Sequence, residues 1–230
     1  MIMILIKAIP SVITSLNLIC GVAASIFAFS GEPQIAIYLV LASAVFDFFD
    51  GFAARLLKAV SEFGKQLDSL ADLISFGFAP AALLFNLLDS NNVLSGYWPF
   101  IVILIVLFSA LRLAKFNTDS SQATGFVGLP TPASALLIIA ISQSVINAES
   151  FIYHLFLKPE VAIITIVLIS ALMVLPIRLL SLKIKKFDFK EHYLHILLFF
   201  GSISLLIIFG ISGLALSIIL YLAQIGRAHV

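Results

Sequence analysis

The chain has 230 residues, of which 62% are hydrophobic and only 11% charged, against about 45–50% and about 25% in ordinary soluble domains. Mean hydropathy is +1.18. This composition excludes a soluble globular domain and a disordered chain; the single Cys20 excludes a disulfide scaffold, and a net charge of +1 gives no footing for a nucleic-acid partner. What remains is an all-α polytopic membrane protein, a bundle of transmembrane helices.

A spanning helix needs about 20 mostly apolar residues. In chain order the candidate spans are 12–29, 33–56, 66–88, 97–115, 130–148, 160–180, 192–209 and 212–224. The last is short, so the range is six to eight. The first reads as a retained helix, because its apolar run is longer than that of a signal peptide. Ser30, Gly31, Glu32 and Pro33 part the first two spans. The second carries Asp47 and Asp50 near its end, and the third carries Asp68 and Asp72 near its start. Asp89 to Gly96 is a polar loop, Arg112 and Lys115 close the fourth span, and Asn117 to Gly128 is the longest polar stretch. Pro130 and Pro132 sit where the first turn of a helix tolerates proline. Lys183 to Glu191 is a charged linker followed by the interfacial pair His192 and His195. Residues 225–230 read as a non-native tail, which leaves one domain over 1–224.

With an inside N-terminus, every lysine and arginine except Lys158 falls on one side of the membrane. The positive-inside rule makes that side the cytoplasm. Both termini, and the ends of the helices that carry the four aspartates, are then expected there.

The aspartates are spaced i,i+3 in the second span and i,i+4 in the third, so each pair shares a helix face. A short link around Ser61 to Gly64 makes the two helices antiparallel neighbours. All four carboxylates are therefore expected to converge on one cavity. An aspartate inside a bilayer helix costs ~2.5–3.5 kcal/mol, and neighbouring carboxylates repel unless a cation lies between them. All-oxygen ligation of this kind suits a hard divalent ion such as Mg²⁺ or Mn²⁺.

Asp47, Asp50, Gly51, Ala54 and Arg55, then Gly64, Asp68 and Asp72, fall at the spacing DxxDGxxAR–x8–GxxxDxxxD. On that run the chain resembles the CDP-alcohol phosphotransferase family. The resemblance implies that Asp47, Asp50, Asp68 and Asp72 hold two Mg²⁺ or Mn²⁺ ions and that Asp72 is the general base. It also implies that Thr14, Asn17, Asp50, Gly51, Ala54, Arg55 and Ser61 contact a CDP-lipid. Gly51 and Ala54 would remove bulk where the nucleotide approaches, and the Arg55 fork would pair with phosphate. Ser61 reads equally well as a helix N-cap.

The stretches Asp68 to Pro80, Arg112 to Asn117 and Gly128 to Pro132 resemble the serine-using members of the family. They imply transfer of the phosphatidyl group of CDP-diacylglycerol to L-serine, giving phosphatidylserine and CMP, at the cytoplasmic face of the cell (inner) membrane. Arg112, Lys115 and Asn117 would meet the serine carboxylate or the lipid phosphate. The resemblance further implies a homodimer among membrane lipids. Two alternatives stay open. One is the same chemistry on glycerol 3-phosphate or inositol phosphate. The other is a divalent-cation transporter, which should carry its carboxylates near the bilayer midplane and away from an arginine.

Overall fold

The computed structural model of the chain describes residues 2–118, 128–147 and 151–176, together with Ile211 and Gly213. The charged linker 183–191, His192 and His195, the last two expected spans apart from these two residues, and the tail 225–230 lie outside the described residues. The described residues are helical, with no strand among them.

Helix α1 (Ile2–Phe29) starts nearly three turns before the expected span and carries Pro10 within it. Gly31, at φ +78°, turns the chain in a conformation that favours glycine, and Pro33 opens α2 (Pro33–Leu56) at a position where its missing N–H is no loss. With so short a link α1 and α2 pack antiparallel, and theirs is the most extensive helix pairing in the structure. Lys58 adopts the left-handed conformation in the turn after α2. Ser61 then caps α3 (Glu62–Asp72), accepting a hydrogen bond from the Gly64 amide at 3.0 Å.

Asp72 is the last residue of α3. Immediately after it the backbone widens into a π segment (Leu73–Phe78), where the Ala79 amide reaches back to the Ile74 carbonyl. Helix α4 (Ala79–Ser90) continues the same rod. Pro80, which has no N–H and crowds the preceding turn, sits just beyond the widening, and a π turn accommodates that fault without breaking the helix. The rod Glu62–Ser90 is the centre of the bundle: 67% of its most apolar window is buried, against 28–33% for the other long helices. Phe76, Leu83, Leu84 and Leu88 fill the core from it.

A 3₁₀ turn (Trp98–Val102) leads into α5 (Ile103–Thr118). Helix α6 (Thr131–Ile146) begins between two prolines, α7 (Phe151–Phe156) is a short turn that hydropathy did not reveal, and α8 (Pro159–Val174) ends the described bundle. The start of α6 is pinned to the end of α8. The Leu129 amide donates to the Leu172 carbonyl at 2.8 Å, and a Cβ at Gly128 (φ +78°) would collide with the Met173 carbonyl. At the opposite end, Gln34 and Gln143 exchange side-chain amide hydrogen bonds at 2.9 and 3.1 Å and tie α2 to α6.

Among the described residues, four helices are long and apolar enough to cross a membrane: Ala8–Phe29, Pro33–Leu56, Glu62–Ser90 and Trp98–Thr118. Thr131–Ile146 and Pro159–Val174 are shorter apolar helices. Val12, Ile19 and Ile26 form an exposed stripe on α1 at heptad spacing, the kind of surface that faces lipid. The protein is a membrane helical bundle.

Candidate active site

The site lies where the last turns of α2, the second half of α3 and the mid-part of α1 meet. Oxygen atoms of Asp47, Asp50 and Asp68 all come within 4.8 Å of one another. At that distance two full charges repel by about 3 kcal/mol for an effective dielectric of about 20. Asp50 Oδ2 and Asp68 Oδ1 are buried and receive no hydrogen bond. Buried carboxylate oxygens without a donor call for another partner. Three converging hard oxygens with two such orphans fit a divalent metal ion.

The carboxylate of Asp72 adjoins that of Asp47, one helical turn from Asp68. Asn17, wholly buried on α1, points its Nδ2 at Asp72 Oδ1, 3.5 Å away. The Asn17 carbonyl accepts the hydroxyls of Ser43 at 3.2 Å and Ser75 at 3.0 Å. Asn17 thus ties α1 to α2 and to the π segment directly beneath the carboxylates. Close contact makes this possible: a Cβ at Gly21 would fall on the backbone and hydroxyl of Ser75.

Two cavities flank the carboxylates, where the sequence suggested one. The first, of about 160 Å³, is lined by Thr14, Asp50, Gly51, Ala54, Ser61 and Asp68 among others. A Cβ placed on Gly51 would meet nothing within 4 Å, so its missing side chain leaves room in the cavity and serves no packing contact. The second, of about 220 Å³, is lined by Asp72, Arg112, Asn117 and Thr131 among others. Lys65 and Asp68 belong to both walls. The division arises because Asp72 lies one turn deeper than Asp68 along the central rod, with Asn17 over it on the α1 side.

The sequence-derived candidates therefore separate. Thr14, Asp50, Gly51, Ala54 and Ser61 share the first cavity. The Thr14 hydroxyl donates a hydrogen bond to the Pro10 carbonyl at 3.0 Å, and Ser61 both caps α3 and lines the wall. Asn17 lines neither of these two cavities and instead faces Asp72. Arg55 is exposed on the last turn of α2, outside both walls. Arg112 and Asn117 line the second cavity, whereas Lys115 is exposed on another face of α5. Asn117 donates from Nδ2 to Ser69 Oγ at 2.8 Å, and its carbonyl accepts from Lys65 Nζ at 3.2 Å.

In the sequence Lys65 reads only as a topological charge, and Thr131 reads only as part of the run Gly128 to Pro132. A hydroxyl residue between two prolines at a helix start, on the same side as the aspartates, was the available signal.

The family profile for CDP-alcohol phosphatidyltransferase matches residues 7–225. The chain belongs to that family. Among curated relatives, a CDP-diacylglycerol–serine O-phosphatidyltransferase of Methanocaldococcus jannaschii is 41% identical over 136 residues, covering 59% of this chain and 60% of the relative. A protein of the same name from Bacillus subtilis is 38% identical over 138 residues, covering 58% of this chain and 75% of its own. Another, from Helicobacter pylori, is 34% identical over 186 residues, covering 79% and 75%. The carboxylates and both cavities lie within the part of the chain that the family profile spans.

Proposed function

We propose that the protein is a phosphatidylserine synthase, transferring the phosphatidyl group of CDP-diacylglycerol to the hydroxyl of L-serine and releasing CMP. The observation that carries this reading is the pair of cavities meeting at Lys65 and Asp68 beside the carboxylates. A group-transfer enzyme with two substrates needs two compartments that share a reacting wall. The names of the relatives support serine as the acceptor.

In this reading the first cavity takes the CDP headgroup. Gly51 and Ala54 give the nucleotide close approach and Ser61 contacts it, while Arg55, exposed outside the wall, is left without a role in the headgroup site. Asp47, Asp50, Asp68 and Asp72 would hold Mg²⁺ or Mn²⁺, two ions in all, and the metal would supply positive charge to the diphosphate as it cleaves. Asn17 acts by orienting Asp72. Asp72 takes the proton of the serine hydroxyl as its oxygen forms the new bond to the phosphorus that carries the lipid, while the bond from that phosphorus to the CMP oxygen breaks. The lipid tails stay in the bilayer and the headgroup chemistry occurs at the cytoplasmic face of the cell (inner) membrane, the side to which this reading also assigns both termini. The assembly attached to this reading is a homodimer.

A transporter is disfavoured by the setting of the carboxylates: they stand toward the turn that joins α2 to α3, next to a walled compartment lined by Gly51 and Ala54. The test is incorporation of labelled serine into lipid by membranes containing the protein. Chromatography of the product should give phosphatidylserine. Labelled lipid formed from glycerol 3-phosphate and never from serine would assign another acceptor.

A further inference from the structure

The second cavity is lined by two residues that each hold a buried polar atom without a hydrogen-bond partner. Thr131 is 1% exposed, and its Oγ1 is buried without a hydrogen-bond partner. Arg112 is 9% exposed, and its Nε is likewise buried and unpartnered. Each represents a cost unless something absent from the protein itself completes it. Both line the same cavity as Asp72.

Thr131 is also the first residue of α6. The first amides of a helix have no intrahelical carbonyl and carry the positive end of its dipole. Here the Ser134 amide is the first to find a partner, the Pro130 carbonyl at 2.9 Å, and Pro132 offers no amide at all. The contact of Gly128 and Leu129 with the end of α8 fixes this helix start in place.

We infer that Arg112, the Thr131 hydroxyl and the opening turn of α6 form the seat for the carboxylate of the acceptor amino acid. This assignment deepens the proposed reaction and rests on it. A guanidinium presents a planar donor edge that matches a carboxylate. The hydroxyl and helix start supply neutral donors from the other side. Arg112 and Lys65 are the basic side chains on this wall; Lys65 is hydrogen-bonded to the Asn117 backbone carbonyl, and Lys115 stands outside. One guanidinium left to face the acceptor suits a singly charged carboxylate better than a phosphate. A carboxylate held there puts the serine hydroxyl on the Asp72 side of the compartment.

The test compares serine with serinol, in which a hydroxymethyl group replaces the carboxylate, using the full-length protein in detergent and lipid. Thr131→Val keeps the shape and removes the hydroxyl; Thr131→Ser restores it; Arg112→Gln removes the charge. Metal-dependent CMP binding, which uses the first cavity, reports that each variant is folded. Thr131→Val and Arg112→Gln should each raise the KM for serine by roughly 10-fold or more, leave the KM for CDP-diacylglycerol unchanged, and narrow the preference for serine over serinol. Thr131→Ser should recover it. Folded variants that keep the wild-type preference overturn the carboxylate seat while leaving the serine reaction standing. A wild-type protein that releases CMP with glycerol 3-phosphate and not with serine overturns the reaction and the seat together.

Discussion

Gly51→Ala separates folding from binding. Gly51 lies inside α2, and a Cβ built there meets no atom within 4 Å. The substitution therefore creates no clash, and replacing glycine by alanine within a helix stabilises it by roughly 0.5–1 kcal/mol. The added methyl projects toward a cavity of about 160 Å³ that is assigned to the CDP headgroup. One surplus carbon in a fitted pocket changes binding by about 1–3 kcal/mol, or roughly 10–200-fold. The variant should thus melt at a higher temperature yet show a KM for CDP-diacylglycerol raised by about 10-fold or more, with the KM for serine unchanged. The assay is CMP release at varied CDP-diacylglycerol, paired with thermal unfolding in detergent. A Gly51→Ala protein with unaltered CDP-diacylglycerol kinetics would refute the placement of the nucleotide.

Asp72→Asn keeps the shape and removes the proton acceptor, so kcat should fall by about 10²–10⁴-fold while CMP still binds; near-normal turnover would end its role as base. Ser61→Ala removes the cap on the Gly64 amide and should lower stability by about 1 kcal/mol, read by thermal unfolding. Because Ser61 also lines the first cavity, the same variant should bind CDP-diacylglycerol less tightly, and Ser61→Asp should recover stability without recovering affinity. Gly21→Ala drives a methyl into Ser75 and should cost about 1–3 kcal/mol. It should also reduce turnover by displacing Asn17 from Asp72; an unchanged kcat in the folded variant would count against that coupling.

The longer helices among the described residues, and the pairing of the four aspartates, are legible in the sequence because each rests on local information. Apolar runs report the spans, and carboxylates at i,i+3 and i,i+4 must share a helix face. The structure adds what depends on depth and on neighbouring helices. Asp68 and Asp72 share a face, yet Asp68 stands on both cavity walls while Asp72, a turn deeper, lines only the second of them. The π segment Leu73–Phe78 has no hydropathy signature, since the shift is in backbone hydrogen bonding. Lys65 and Lys115 look alike as cytoplasmic charges, but only Lys65 stands on the cavity walls. The family resemblance implies that Asn17 contacts the CDP-lipid; that its side chain faces Asp72, 55 positions away in the chain, is visible only in the fold. The orphan hydroxyl of Thr131 becomes visible only once α6 is seated against α5 and the central rod.

The central claim is that these carboxylates and two cavities join a CDP-lipid to the hydroxyl of serine. Its most direct test is CMP release by the purified protein from CDP-diacylglycerol, with and without serine, before and after chelation of divalent ions. Release should require serine, should match phosphatidylserine formed mole for mole, should stop on chelation and should return with Mg²⁺ or Mn²⁺. Phosphatidylserine formed undiminished after the metal is removed, or CMP release indifferent to serine, would contradict it.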